Sequence, residues 1–367
     1  MSVVLLVLGI LLFIGLVVLH EFGHFLAARR NGVDVEEFGI GFPPRAWKRE
    51  TKKGFIFSIN WLPIGGFVKL KGENDAATEK GSFGAASFKT KTKIMLAGVG
   101  MNLLAAFVIF TALAWIGMPQ LIDNQYSVKS DTRVLSRSVL IANVAQGSPA
   151  EKAGLQTRDH LTAIGIRGSE QQVVSASSLP DLTKKYAGQG VVVTYTRGGQ
   201  ERTITATLLS GKAAEEKGYL GVTPAEFSMT RATWSAPVQS AGLIAQFTGV
   251  TFKGLGTALG ALFQGDAAKA SEQVSGPVGI VAVLNEGSFL GIQFVLVIIG
   301  LISLSLAIMN VLPIPALDGG RFYVLLLSRI FGKRLSQDME ERIVGTSFVF
   351  LLVLIVLITI VDVKRFF

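Results

Sequence analysis

Residues 3–28 read VVLLVLGILLFIGLVVLHEFGHFLAA, an apolar run that carries HEFGH at positions 20 to 24. At 3.6 residues per turn, positions four apart stack on one helix face, so His20 and His24 present their imidazoles to one point with Glu21 beside them. H-E-x-x-H on a helix is metal-ligand spacing: two neutral imidazoles suited to zinc, and a glutamate placed to take a proton from water. Five residues match by chance often enough to need support. The support is cost, because ionisable side chains among leucines, valines and isoleucines are expensive in hydrocarbon and mark function by default. Of the three histidines in the chain, two are here.

Working outward, half of the 367 residues are hydrophobic and only 17% are charged, with a mean hydropathy of +0.49. A soluble domain carries about a quarter charged residues, so this composition predicts an integral membrane protein. Val3–Ala28 is too long for the apolar core of a signal peptide and lacks a small-residue cleavage site, so the first span is expected to stay. Cysteine is absent, which excludes disulfides.

Apolar runs long enough to cross a bilayer occur at Val3–Ala28, Ile94–Gly117, Leu290–Leu312 and Ile343–Val363. Residues 29 to 93 hold thirteen Lys/Arg against seven Asp/Glu, and so basic a loop is expected on the cytoplasmic side. Arg329, Lys333, Arg334 and Arg342 between the last two runs agree; Lys364 and Arg365 do not. Both termini and residues 118 to 289 then lie outside.

GFIFSINWLPIGGFVKL (Gly54–Leu70) alternates bulky apolar residues and is interrupted by Pro63 and Gly65–Gly66, which reads as a β-hairpin. It is expected against or partly within the bilayer beside the metal helix, where its edge either pairs with an unwound substrate segment or merely packs on the helices. Upstream, Gly39-Ile40-Gly41 and Pro43-Pro44 allow close backbone approach. No strand-helix phosphate cradle surrounds that G-x-G, so it does not read as a nucleotide site, and nucleic acid is not among the expected partners.

From 118 to 233 the composition is that of a soluble domain. VLIANVAQGSPAEKAGLQTRDHLTAIG reads strand, short helix, strand; SSLPDLTKKYAG is helical; VVVTYTRGGQERTITATLL is a hairpin turning at Gly198–Gly199. This resembles a PDZ domain, which captures extended peptides at a sheet edge. His160, alone within it, is read as structural. Residues 234 to 289 are Gly/Ala-rich and amphipathic, which predicts a segment along the outer membrane interface. SGPVGI (Ser275–Ile280) reads as a turn.

The third span ends in MNVLPIPALDGG (Met309–Gly320), where Pro313 and Pro315 must break the helix. Asp318 follows immediately. It is either the cap of a new helix or a third metal ligand that completes two histidines and a carboxylate with a fourth position open.

HEFGH in the first span, a PDZ-like domain between spans two and three, and N-x-x-P-x-P-x-x-D-G at Asn310–Gly319 together resemble the site-2 protease family over essentially the whole chain. Within it, the bacterial regulated intramembrane metalloproteases of the RseP/RasP type are nearest. The resemblance implies Zn2+ held by His20, His24 and Asp318, with Glu21 as the base and Asn310 near the substrate. It also implies a membrane-associated β-loop, with Gly39, Gly41, Gly65 and Gly66, that holds substrate extended. The implied substrates are single-span membrane proteins, anti-sigma factors or remnant signal peptides, cut within the bilayer after a first cleavage. Some members of that type carry tandem PDZ domains; one is legible here.

The expected fold is therefore a polytopic α-helical membrane protein with four transmembrane helices, a membrane-associated β-hairpin and an inserted α+β PDZ-like extracytoplasmic domain. Its expected segments are 1–117, 118–233, 234–289 and 290–367. The expected location is the bacterial cytoplasmic membrane, with the active site near the cytosolic face and a peptide or protein ligand for the PDZ-like domain. Two other classes remain open on the residues alone: a soluble zinc peptidase tethered by helices, and a catalytically silent membrane adaptor.

Overall fold

A long apolar stretch without proline satisfies its own amides only as a helix, and the first element, α1 (Ser2–Arg30), is one. It stops where Gly32 takes φ +76° and Val33 N–H reaches back to the Ala28 carbonyl at 3.0 Å, a glycine-based helix end. Arg29 and Arg30 in its last turn complement the helix dipole. The computed structural model describes residues 2–73, 77–122, 124–271, 273–332 and 336–366. Lys333 and Arg334, used above for orientation, lie outside the described residues.

The chain divides into two units, 1–113 with 237–367, and 114–236. In the first, α1 is followed by β1 (Val35–Glu50) and β2 (Ile56–Leu70), then α2 (Phe88–Met95) and α3 (Ala97–Ile116). The second holds β3 (Met118–Pro119), β4 (Arg133–Val144), α4 (Pro149–Lys152), β5 (His160–Ile166), β6 (Ser169–Gln172), α5 (Ser178–Lys185), β7 (Gly190–Arg197), β8 (Gln200–Thr207), α6 (Lys212–Lys217) and β9 (Val222–Arg231). The first unit resumes with α7 (Ala236–Phe263), α8 (Ala267–Ser271), α9 (Pro277–Leu290), α10 (Ile292–Val311), α11 (Asp318–Ile330) and α12 (Gln337–Phe366). Among the described residues, four helical stretches are long and apolar enough to cross a membrane: Ser2–Arg30, Phe88–Ile116, Ile292–Val311 and Gln337–Phe366.

Gly54–Leu70 is not itself a hairpin. Residues 56–59 and 66–70 both pair with the same stretch of β1: Phe38 faces Phe57 and Val68, Gly39 faces Ser58 and Phe67, and Ile40 faces Ile59 and Gly66. The second half of β1 then pairs with the first half of β2, Lys48 opposite Ser58. The spatial order is thus 66–70, 35–40, 56–60, 45–50, a sheet in which each strand bends back along the other. One bend is at Gly65, where the sequence carries hairpin punctuation, and the other is at Gly41, where it allows close backbone approach. Gly41 (φ +79°) and Gly65 (φ +105°) adopt backbone that L side chains avoid, and a Cβ on Gly41 would sit 2.4 Å from the Leu62 carbonyl oxygen. The true reversal is at Thr51–Phe55, where Gly54 N–H bonds the Thr51 carbonyl.

Helices α1, α9 and α10 share a core of Leu16, Leu284, Val295 and Ile299. A second cluster (Ala28, Val33, Val35, Leu70, Ile94, Met95, Leu325) ties the end of α1 to the sheet, α2 and α11. The first half of α7 buries Gln239, Ser240, Leu243 and Phe247; Ser240 accepts from Thr111 of α3 at 3.0 Å and Phe247 packs on Phe110.

SGPVGI starts α9, and its two glycine amides bind a carboxylate that sequence reading passed over. Asp362 of α12 is 1% exposed and accepts from Gly276 N and Gly279 N, each at 2.8 Å. A helix N-terminus leaves such donors orphaned, so this aspartate satisfies them from another helix. Replacing it with alanine should cost about 2–3 kcal/mol of local stability by leaving buried amides unpaired. The expected result is faster protease clipping of α12 in proteoliposomes; unchanged clipping would refute it.

In the second unit β3, β9, β4, β5, β7 and β8 form one antiparallel sheet, with β6 beside β5. Its core is Val139, Ile141, Leu161, Ile164, Val191, Val193 and their neighbours. Ser148 caps α4 by accepting from Glu151 N, and Gly198 and Gly199, both with positive φ, turn β7 into β8, as paired glycines do in tight hairpins. Arg197 grips the buried Asp159 at 2.6 and 2.7 Å.

Candidate metal centre

The i, i+4 spacing in α1 puts His20 and His24 one above the other, their rings 4.9 Å apart. Asp318 arrives from the other end of the chain. After α10 the proline-rich turn carries Leu317 N–H to the Ile314 carbonyl, and α11 begins with Asp318. Gly319 and Gly320 lie so close to that turn that a Cβ would meet Val311 O at 2.4 Å and Ile314 O at 1.9 Å. Only glycine lets the aspartate sit here.

Asp318 does not cap α11: its Oδ2 lies 3.0 Å from His20 Nε2 and 3.1 Å from His24 Nε2, which are 3.2 Å from each other. Ligand atoms at 2.0–2.1 Å around a tetrahedral zinc are about 3.3 Å apart, so this triangle has the edge length of one face of that tetrahedron. Among the described residues this is the one cluster of metal-ligating side chains.

The donor set makes the same point chemically. His24 Nδ1–H donates to the Ile94 carbonyl at 2.8 Å, which leaves its Nε2 as the lone pair of a neutral imidazole. A lone pair facing a carboxylate oxygen at 3.1 Å is repulsive unless a proton or a metal ion lies between them, and a metal ion serves both imidazoles and the carboxylate at once. His20 Nδ1 is met at 3.1 Å by the Asn102 side-chain amide, whose Oδ1 has no partner. Exchanging the amide O and N lets Oδ1 accept from Nδ1–H and frees His20 Nε2 for metal, which is how outer partners orient histidine ligands. Ser303 Oγ–H bonds the Asn102 backbone carbonyl at 2.8 Å. Removing the amide by Asn102→Ala is expected to weaken zinc binding about 10- to 100-fold, measured by competition with a chromogenic chelator.

Glu21 stands on the same helix and lines a cavity of about 130 Å³ with His24, Val68, Leu70, Glu73, Phe83, Ile94, Met95, Asp318 and Arg321. Val68, in β2, lines the cavity beside it. A Cβ on Gly66 would lie 3.3 Å from Glu21 Cγ, so the bare backbone of Gly66 abuts the stem of Glu21.

The other sequence candidates fall elsewhere. Gly39 is in the interior strand of the sheet, paired on both sides and packed on the Phe67 ring, so its backbone is not open to a ligand. Gly41 and Gly65 form the bends. Asn310 Nδ2–H donates back to Leu306 O in its own helix at 2.9 Å. His160 sits in β5 opposite Leu140 and Thr196, and burial pushes its pKa down.

Sequence reading missed Asn102, Ile94 and Gly98. A Cβ on Gly98 would fall 2.4 Å from His24 Nε2 and 2.6 Å from His20 Nε2. AGVGMN reads only as the small-residue start of a span, a pattern common at helix contacts.

A membrane-integral chain that brings a two-histidine, one-carboxylate cluster beside a glutamate defines a zinc-dependent hydrolytic centre. Comparison with known proteins gives the family. The model of peptidase family M50 matches residues 8–354, and the chain belongs to that family, the site-2 proteases. It is 27% identical over 446 residues to zinc metalloprotease RasP of Shouchella clausii, covering 98% of each chain. It is 30% identical over 367 residues to a zinc metalloprotease homologue of Clostridium acetobutylicum, covering 99% of this chain and 98% of the other. Membrane metalloprotease ARASP of Arabidopsis thaliana is 28% identical over 343 residues, covering 90% and 72%. The chain is thus a zinc metalloendopeptidase.

Proposed function

We propose that this chain is an intramembrane endopeptidase that cleaves single-span membrane proteins within the bilayer, with His20, His24 and Asp318 holding the zinc and Glu21 as the base. The observation that carries the reading is the meeting of three ligand atoms 3.0–3.2 Å apart, drawn from opposite ends of the chain, next to Glu21 and a sheet edge. Bound zinc supplies Lewis acidity to the scissile carbonyl and to water. Glu21 takes the proton from the attacking water and delivers it to the leaving amine.

A transmembrane substrate keeps its amides bonded within its own helix, so the bond to be cut must first be unwound. Residues 66–70, paired on one side only among the described residues, offer the freed backbone a strand to join. The basic loop of residues 29–93 supports four spans with both termini outside and the site near the cytosolic face, and the family resemblance suggests residence in the bacterial cytoplasmic membrane. The strand and helix order of residues 133–231 supports a PDZ-like module for a peptide or protein ligand. Anti-sigma factors and remnant signal peptides are the substrate classes the family resemblance suggests.

The test is reconstitution with single-span proteins of helical and of proline-disrupted spans, products mapped by mass spectrometry. Cleavage inside the apolar segment, faster for the disrupted span and abolished by a zinc chelator, is the expected result. Cuts confined to soluble flanks would overturn the reading.

A further inference from the structure

In the outermost strand of the sheet, amides alternate in direction. Lys71 N–H, following the strand, turns inward to the Asp34 carbonyl at 2.9 Å, and Leu70 N–H therefore points to the unpaired side. It is already taken: Leu70 N–H donates to Glu73 Oε1 at 2.7 Å. The backbone carbonyl of the same residue accepts from Arg321 Nη2 at 3.2 Å. Leu70, Glu73 and Arg321 all line the cavity that holds Glu21, His24 and Asp318. Two donors fixed on separate elements, β2 and α11, are thus occupied by two oxygens of one residue.

We propose that Leu70 N–H and the Arg321 guanidinium form a two-point subsite for main-chain carbonyls of an extended substrate, and that Glu73 fills it until substrate arrives. The inference rests on the protease reading above and adds residues to it. An added strand must bond outward amides of residues 66–70, and Leu70 N–H is one of them. Arg321, three residues past Asp318, supplies a planar donor array with no accepting capacity, suited to carbonyl oxygens. The carboxylate of Glu73 makes a charge-assisted bond that a peptide carbonyl cannot match, so Glu73 competes with substrate and lowers its apparent affinity by the fraction of time the subsite is closed.

The experiment measures binding in the full-length Glu21→Gln protein, which keeps all three ligands, using a fluorescein-labelled extended Val/Thr decapeptide and anisotropy in detergent micelles. Adding Glu73→Ala is expected to tighten binding about fivefold, and Glu73→Gln, a neutral acceptor, to fall between. With Glu73→Ala in place, Arg321→Ala is expected to weaken binding at least threefold and Arg321→Lys to restore part of it. Glu73→Gln carries the test if Glu73→Ala loses zinc. Unchanged or weaker binding on loss of the Glu73 carboxylate overturns the competitor role. If Arg321→Ala has no effect once the Glu73 carboxylate is gone, Arg321 merely anchors the backbone carbonyl of residue 73 and the subsite is overturned. Because no turnover is involved, these outcomes are separate from failure of the protease reading, which would appear as wild-type protein that cuts no single-span substrate.

Discussion

A single methyl group added at Gly98 is expected to abolish zinc binding while leaving the fold in place. The Cβ of Gly98→Ala would stand 2.4 Å from His24 Nε2 and 2.6 Å from His20 Nε2, on the two atoms that point at Asp318. Neither ring has room to retreat: His24 is tied through Nδ1 to Ile94 O and His20 through Nδ1 to Asn102. Alanine is the better helix former by about 1 kcal/mol, so α3 itself has no reason to unwind. Loss therefore falls on the site. Zinc per chain after dialysis should drop from near one to near zero, with helical circular dichroism unchanged. Gly100→Ala is the control, since a Cβ there meets nothing within 4 Å and zinc should be retained. Full zinc content in Gly98→Ala would mean that the two imidazoles do not share one ion.

How much of this was readable beforehand follows from which contacts are local. His20, Glu21 and His24 are within two helical turns, and the helix period alone fixes their geometry. Asp318 became a candidate because two prolines and two glycines around one carboxylate make little sense as a span. What could not be read were partners that look like ordinary membrane helix: Gly98 and Asn102 lie in an apolar stretch where a glycine or an amide has many uses. The sheet was half legible. Strand composition is recognisable in Ile56–Leu70, but Pro63 and Gly65 read as a reversal where they only bend the chain, because positive φ serves a bend as well as a turn. Asp362 passed unnoticed for a different reason. An acid beside Lys364 and Arg365 reads as a solvated helix end, and only the fold brings Gly276 and Gly279 to it.

Glu21→Gln is expected to separate binding from chemistry. The amide keeps the length and volume of the side chain, so its contact with Gly66 persists, and the 3.0–3.2 Å cluster of His20, His24 and Asp318 does not include it. Zinc content should equal that of the wild type. What is lost is a basic oxygen that accepts and then returns a proton, a role that contributes about 10²- to 10⁴-fold to rate. Turnover of a single-span substrate should fall by that factor in kcat with KM little changed, as for an interaction made only in the transition state. Glu21→Asp keeps the base but shortens its reach by one methylene, so it should recover part of the rate, misplacement of about 1 Å costing up to 10²-fold. If Glu21→Gln cleaved at the wild-type rate, the base would have to be another carboxylate within the same cavity. Apart from the ligand Asp318, the lining residues offer one, Glu73, so the double substitution Glu21→Gln, Glu73→Gln would then be the variant that goes silent.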